Sequence, residues 1–147
     1  MEDLKQILRT VMLFANLTDV ELQDVANICQ KKELKRGDII AEQGSMGDEM
    51  FIVTEGFVEV AIKSDAEASN VLVNLGSGQI IGEMALIDQG PRSATVRAIS
   101  DRTTVQVIHR DDFNSLCEEN TRIGYIVMKD IAADLSFKLR HRNLTIS

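Results

Sequence analysis

The chain has 147 residues, of which 16 are Lys or Arg and 23 are Asp or Glu, giving a formal net charge of -7. This length suits one domain, and 44% hydrophobic with 27% charged residues is typical of an ordinary soluble globular protein. The acidic balance argues against nonspecific nucleic-acid binding, and no apolar run approaches the roughly 20 residues of a membrane span. Two cysteines and two histidines give little material for a disulfide framework or a metal centre, so we expect a cytoplasmic chain with no metal site.

The first 30 residues have the pattern of two helices. Leu4, Ile7, Leu8 and Val11 recur on one helical face. Thr18 and Glu21 form a capping-box sequence, which predicts the start of a second helix. Its buried stripe is expected to contain Leu22, Val25, Ala26 and Cys29, with Cys29 acting as a small core residue rather than a reactive thiol.

Between residues 31 and 110 the period changes to that of short strands. Eight of the nine glycines lie in this region, and Gly readily adopts the positive φ of tight turns. Many short strands at near-regular spacing predict an antiparallel β jelly-roll barrel. The polar segment from Lys63 to Asn70 is expected to be an exposed hairpin loop.

Helices return after Arg110. Asp111 or Asp112 is expected to cap a short helix, and Thr121 to open a long one that runs to about Asn143. Met128, Ile131 and Leu135 on the long helix fit an interhelical seam, so either a packed helix or a homodimer through it is consistent with the pattern. We therefore expect a single domain over 1–147: N-terminal helices at 1–30, a β-roll at 31–110 and C-terminal helices at 111–147.

The segment from Gly82 to Val96 carries the chemistry. Gly82 allows a close backbone turn, and residues 83–87 suit one helical turn whose first amides are unpaired and attract anions. Pro91, the only proline, restricts how Arg92 is presented at the start of a strand-like run. Free amides, a guanidinium and the Ser93 hydroxyl in one place would form a phosphate cradle.

Glu83 would repel that phosphate unless it has a further partner. A sugar hydroxyl beside the phosphate would donate to its carboxylate, and Arg92 would offset the repulsion, which together describe a bound nucleotide. An internal ion pair between Glu83 and Arg92 that only staples the turn is equally consistent with the residue types.

The spacing of this segment resembles the phosphate-binding cassette of the cyclic nucleotide-binding domain family. The family pattern Gly-Glu-x-Ala-Leu is met at 82–86, and Pro-Arg-(Ala/Ser/Thr)-Ala-Thr-Val is met at 91–96. The resemblance continues upstream through 37–40, 43–53 and 56–60, so it covers most of the chain. It departs at Ile81, where many members carry Phe, and we expect that change to alter packing rather than binding.

The resemblance implies a set of ligand-binding residues: Gly82, Glu83, Met84, Ala85, Arg92, Ser93 and Ala94. Arg92 would hold the cyclic phosphate, helped by the Ser93 hydroxyl and the amides of Ala85 and Ala94. Glu83 would accept a hydrogen bond from the ribose 2′-hydroxyl, close to the Gly82 backbone.

The resemblance also implies where the base would lie. Residues 72–75 are expected to form an apolar wall for it, and the long C-terminal helix resembles the family's lid, with residues 134–138 nearest the base. In the family, Thr at the position of Ser93 often accompanies a preference for cGMP, so Ser93 favours cAMP.

The leading hypothesis is a regulatory module that binds cAMP or cGMP and signals to a protein effector by movement of its C-terminal helices, with no enzyme activity, no cofactor and no direct nucleic-acid or membrane binding. The alternatives are a ligand-free domain that keeps the fold and dimerises, and an enzyme such as a phosphodiesterase or a cupin-like metalloenzyme. A transcription factor of the same family would have a helix-turn-helix after the long helix, where this sequence stops. Either the sequence is part of a longer protein or the domain acts alone on a protein partner, and the residues do not distinguish the two.

Overall fold

Helices lie at the two ends of the chain, as the sequence predicts. The computed structural model describes residues 4–63 and 70–142. Within those ranges the α-helices are α1 (Leu4–Thr10), α2 (Asp19–Asn27), α3 (Arg110–Glu119) and α4 (Thr121–Arg142). Two short 3-10 helices cover Met12–Phe14 and Glu83–Leu86. None of the helices in the described ranges combines the length and hydropathy that a membrane span requires.

The capping box predicted at the start of α2 is present. The Glu21 amide donates to Thr18 Oγ1 at 3.2 Å, and the Thr18 amide donates to Glu21 Oε1 at 2.8 Å. These two bonds satisfy amides that a helix start otherwise leaves unpaired. Leu22 and Val25 are buried as predicted, while Cys29 follows the helix and packs half-buried against the same apolar cluster.

The middle of the chain forms short antiparallel strands. Those within the described residues are β1 (Gln30–Leu34), β2 (Ile39–Ala41), β3 (Met46–Gly47), β4 (Glu49–Glu55), β5 (Val58–Ile62), β6 (Asn70–Leu75), β7 (Ile80–Ile81), β8 (Gly90–Pro91), β9 (Thr95–Ala98) and β10 (Thr103–His109). One sheet has the order β1-β10-β4-β7, a second has β2-β9-β5-β6, and β3 pairs with β8. The hairpin loop predicted between Lys63 and Asn70 falls largely on residues 64–69, which lie outside the described residues.

The mainly β fold with flanking helices is confirmed, but a closed barrel is not. Among the described residues no strand ladder joins the two four-stranded sheets. The sheets instead share one apolar cluster, to which one contributes Phe51 and Val105 and the other Val58 and Val96. β3, β7 and β8 are only two residues long, so they provide too few ladder bonds to close the gap. The result is two sheets that face each other over a core.

The central strand β4 is buried on both faces. Successive side chains of a strand point to opposite sides, so Phe51 and Val53 enter the core between the sheets, whereas Met50 and Ile52 contact the helices. All four side chains are at most 2% exposed. β4 therefore connects the β-roll to the helical layer.

The start of α3 differs from the sequence prediction. Its N-cap residue is His109, which makes no side-chain capping bond, and Asp111 and Asp112 lie inside the first turn instead of before it. The prediction that either aspartate caps the helix is therefore wrong. β10 runs directly into α3 and leaves no residue between them, but carboxylates in a first turn still interact favourably with the helix dipole.

The long helix α4 begins at Thr121, as predicted. Its predicted seam is used within the chain: Ile131 is 1% exposed, and Met128 and Leu135 pack half-buried against the same cluster of core residues. A repeat of apolar residues at this spacing has the same appearance whether it contacts its own core or a partner helix. The pattern alone could not distinguish the two.

Candidate functional site

The backbone between β7 and β8 forms a tight turn of the kind the sequence predicts. Gly82 has φ +76°, a conformation that L side chains rarely adopt, and the 3-10 helix Glu83–Leu86 follows at once. The Ala85 amide donates to the Gly82 carbonyl oxygen at 3.0 Å. That amide could therefore reach a phosphate only as a shared donor. The amides of Glu83 and Met84 come first in the turn, so the turn has no earlier carbonyl oxygen to which they can donate. They are therefore better placed to bind an anion.

Arg92 lies before β9 rather than in the sheet itself. The sequence placed it at the start of a strand-like run, but β9 begins only at Thr95. Its Nη2 donates to the Glu49 carbonyl oxygen at 2.8 Å, and its Cζ lies 5.4 Å from the centre of the Phe51 ring. These contacts fix a half-buried guanidinium at the edge of the β-roll.

Two glycines leave room for the Arg92 side chain. A Cβ atom at Gly47 would lie 2.6 Å from Arg92 Cζ, and a Cβ at Gly82 would meet Arg92 Nη1 and lie 3.2 Å from the Glu49 carbonyl oxygen. The contacts with Arg92 are too short for a real side chain unless the arginine moves. The position of the guanidinium therefore depends on the absence of side chains at both residues.

Arg92 has acidic neighbours but no carboxylate within ion-pair distance among the described residues. Burial lowers the pKa of Arg92, and the carboxylates of Asp48 and Glu49 oppose that effect. His109 lies at the end of β10 with its Nε2 3.3 Å from Glu49 Oε2. Arg92 is thus bonded to a neutral carbonyl oxygen, and the two carboxylates lie farther away.

Glu83 does not pair with Arg92. Its side chain is 20% exposed, and its Oε1 lies 3.9 Å from Lys138 Nζ on α4. No ion pair between Glu83 and Arg92 occurs in the described structure, so the internal staple considered from the sequence is not formed. Neither of these two charged groups neutralises the other.

Arg92 and Glu83 face a cavity of about 360 Å³ between the β-roll and α4. One wall of the cavity is apolar and includes Val60, Val73, Leu75 and Val96. The polar part of the cavity lining comes from Glu83, Arg92, Ser93 and Lys138. Val73 and Leu75 belong to the wall expected at 72–75. A lining that is mostly apolar, with a few polar groups, is typical of small-molecule sites.

A second cavity of about 290 Å³ adjoins the first across the turn. It is lined by Gly47, Asp88, Gly90, Pro91 and most of the predicted residues, and it shares with the larger cavity Gly82, Glu83, Arg92 and Ser93. The structure thus brings the predicted set together: Gly82, Glu83, Met84, Ala85, Arg92 and Ser93 line the smaller cavity, and Ala94 lines the larger.

Gly47 belongs to the segment 43–53 that resembles the family, but the sequence alone does not assign it to the site. The sequence around a glycine that is distant from the cassette does not indicate which side chain packs against it. Lys138 was named only as one of several lid residues, and the structure places it alone among 134–138 in the lining of the larger cavity.

Comparison with protein families now identifies the class of this fold and site. The model of the cyclic nucleotide-binding domain family matches residues 31–120, which is more than half of the chain. The chain belongs to the cyclic nucleotide-binding domain family.

Two curated relatives illustrate the proteins in which such domains occur. The cyclic nucleotide-gated potassium channel mll3241 of Mesorhizobium japonicum is 37% identical over 126 residues, which is 84% of this chain and 33% of the channel. A cGMP-dependent protein kinase of Drosophila melanogaster is 34% identical over 111 residues, covering 74% of this chain and 12% of the kinase. The chain therefore spans a third or less of these relatives.

Solved structures share the fold. The N-terminal domain of a transcriptional regulator from Streptomyces coelicolor has a TM-score of 0.85 at 27% identity, covering 93% of this chain and 95% of that one. The Thermus thermophilus catabolite activator protein has a TM-score of 0.80 at 30% identity, covering 92% and 61%. The fold thus matches across most of this chain.

Proposed function

We propose that this domain binds a cyclic nucleoside monophosphate in the cavity between the β-roll and α4. Arg92 holds the cyclic phosphate, with the Ser93 hydroxyl and the first amides of the turn as further donors. Glu83 accepts a hydrogen bond from the ribose 2′-hydroxyl. The observation that carries this proposal is that Arg92 and Glu83 line one cavity without pairing with each other.

The base would lie against the apolar wall of Val60, Val73 and Leu75, beneath the last turns of α4. Burial of a purine face against aliphatic side chains is favourable at about 25 cal/mol per Å² of apolar surface. We propose cAMP as the preferred ligand over cGMP, because the resemblance associates Thr, rather than Ser, at position 93 with cGMP.

The proposed role is regulatory and not catalytic. Ligand binding would shift the C-terminal helices toward the state that covers the cavity, and a protein effector would respond to that shift. The two relatives named above fit such a role, since each carries a matching segment within a longer protein. Cys29 and Cys117 are both free thiols, which is consistent with the cytoplasmic location expected from the sequence.

A homodimer through α4 remains part of the proposal, but on another face of the helix. Because Ile131 is buried within its own chain, partner helices would have to meet on another face, such as the one that carries Tyr125 and Leu139, which are 65% and 63% exposed. Sedimentation velocity with and without cAMP measures whether such a dimer forms.

Isothermal titration of the wild type and Arg92→Ala with cAMP and cGMP tests the proposed site. A hydrogen bond to a charged group contributes about 1.5–3 kcal/mol, so the variant should bind at least about tenfold more weakly. Arg97→Ala is the matched control, because Arg97 lies in β9, pairs with Glu59 at 3.6 Å and lines neither cavity. It should bind like the wild type.

Each outcome has a separate meaning. Equal affinity of Arg92→Ala and wild type would remove Arg92 from the site. No binding of either nucleotide by the folded wild type would favour the ligand-free structural domain. Conversion of cAMP to AMP by the wild type with divalent metals, followed by chromatography, would favour the enzyme hypothesis.

A further inference from the structure

We propose that Lys138 is a positioning residue that holds the end of α4 over the cavity through Glu83 and balances the charge of Glu83 when a phosphate is bound. The role of Lys138 in balancing charge around a bound phosphate rests on the proposed function. Its role in attaching α4 to the turn does not depend on that function.

The geometry shows how Lys138 is oriented. Its Nζ lies 2.8 Å from Asp134 Oδ2, one helical turn earlier, and 3.9 Å from Glu83 Oε1. Asp134 therefore aims the ammonium group toward the turn. A separation of 3.9 Å is too long for a hydrogen bond, so the oxygens of Glu83 remain free to accept from a ribose hydroxyl while they experience the positive charge.

Lys138 lies where α4 leaves the core. Ile131 is the last fully buried residue of the helix, and Leu135, the next residue on that face, is only half-buried. Phe137 and Leu139 are largely exposed. Within the described residues, the contact between Lys138 and Glu83 is the ion pair that joins the last turns of α4 to the 3-10 helix Glu83–Leu86. Beyond Leu135, this ion pair is therefore the contact we expect to attach the final turns to the β-roll.

The charges in the cavity give Lys138 its second role. Arg92 and Lys138 are positive and Glu83 is negative, so a cyclic phosphate with one negative charge brings the lining and its ligand to balance. Without Lys138, Glu83 and the phosphate would have only Arg92 to offset their repulsion. Asp134 shares the charge of Lys138 and the side chain of Lys138 is 57% exposed, so the expected effect on affinity is modest, about two- to fivefold.

The first experiment titrates cAMP into Lys138→Gln by calorimetry. We expect affinity about two- to fivefold weaker than wild type, a smaller difference in about 0.5 M salt because screening shortens the range of exposed charges, and recovery in Lys138→Arg. Lys129→Gln is the matched control: Lys129 lies on the same helix, with its Nζ 5.5 Å from the Tyr125 ring centre and outside both cavities.

A Glu83→Gln background separates a role through Glu83 from a general role of the helix. If Lys138 acts through Glu83, adding Lys138→Gln to Glu83→Gln should change the affinity no further. An undiminished effect in that background would overturn the inference, and so would a Lys129→Gln variant that weakens binding as much as Lys138→Gln.

Hydrogen exchange of the ligand-free protein tests the attachment of α4 without any nucleotide. Amides of residues 135–142 should exchange faster in both Lys138→Gln and Glu83→Gln than in wild type, and no faster in the double variant. If wild-type protein binds no cyclic nucleotide, the proposed function fails while this measurement still decides whether Lys138 holds the helix. Unchanged exchange in both single variants would overturn the inference.

Discussion

Gly47→Ala should displace Arg92 and weaken nucleotide binding although residue 47 carries no chemistry of its own. The added Cβ would lie 2.6 Å from Arg92 Cζ and 2.9 Å from Arg92 Cδ. The nearest atoms to the added methyl group all belong to the Arg92 side chain. The strand can therefore stay in place while the arginine rotates away. That rotation breaks the bond from Arg92 Nη2 to the Glu49 carbonyl oxygen.

The two consequences differ in size. Loss of one hydrogen bond from a half-buried arginine should lower the free energy of unfolding by only about 1 kcal/mol, because solvent replaces part of the interaction. Binding loses the full charge-assisted contact with the phosphate, about 1.5–3 kcal/mol, which corresponds to about 10- to 150-fold in affinity.

Gly90→Ala is the matched control, because Gly90 pairs directly with Gly47 between β8 and β3 and a Cβ there meets nothing within 4 Å. Calorimetric titration with cAMP and urea unfolding should be run on both variants. We expect Gly90→Ala to bind like the wild type. Wild-type affinity in Gly47→Ala, or an equal loss in both variants, would refute the argument that open space beside Gly47 positions Arg92.

Two further predictions concern stability and thiol chemistry. Hydrogen bonds from Arg122 and Thr18 hold the pKa of Glu21 below its usual 4.5, so Glu21 stabilises the fold above that pH and this contribution is lost as the pH falls through the lowered pKa. The free energy of unfolding of Glu21→Gln should therefore be about 1 kcal/mol lower than that of wild type near neutral pH. A difference between the two proteins that stays constant into the acid range would contradict this prediction. Burial raises the pKa of Cys29 to about 12 and that of Cys117 to about 11, so a thiol reagent should modify both slowly, and Cys29 more slowly, until denaturant is added. Rapid modification of folded protein would count against this burial.

The features that sequence reasoning predicted correctly are those set by neighbouring residues. The capping box of Thr18 and Glu21 forms because three residues of spacing bring the two side chains to each other's amides. The turn at Gly82 forms because the short apolar run after a glycine suits a single helical turn. The segment 82–96 could be recognised for the same reason, since its spacing is local.

The features that sequence reasoning missed are set by distant residues. The Glu49 carbonyl that receives the Arg92 hydrogen bond lies 43 positions away along the chain, and no pattern in either segment predicts it. The burial of Ile131 depends on which surface α4 meets, and the open edges between the sheets depend on the length of two-residue strands such as β7. Both are decided by packing.

The most direct test of the proposed site is a crystal structure of the wild-type protein grown with cAMP. We expect the cyclic phosphate within hydrogen-bond distance of the Arg92 guanidinium, the ribose 2′-hydroxyl within hydrogen-bond distance of Glu83, and the base against Val73 and Leu75. A nucleotide bound elsewhere on the chain, or a phosphate turned away from Arg92, would contradict it.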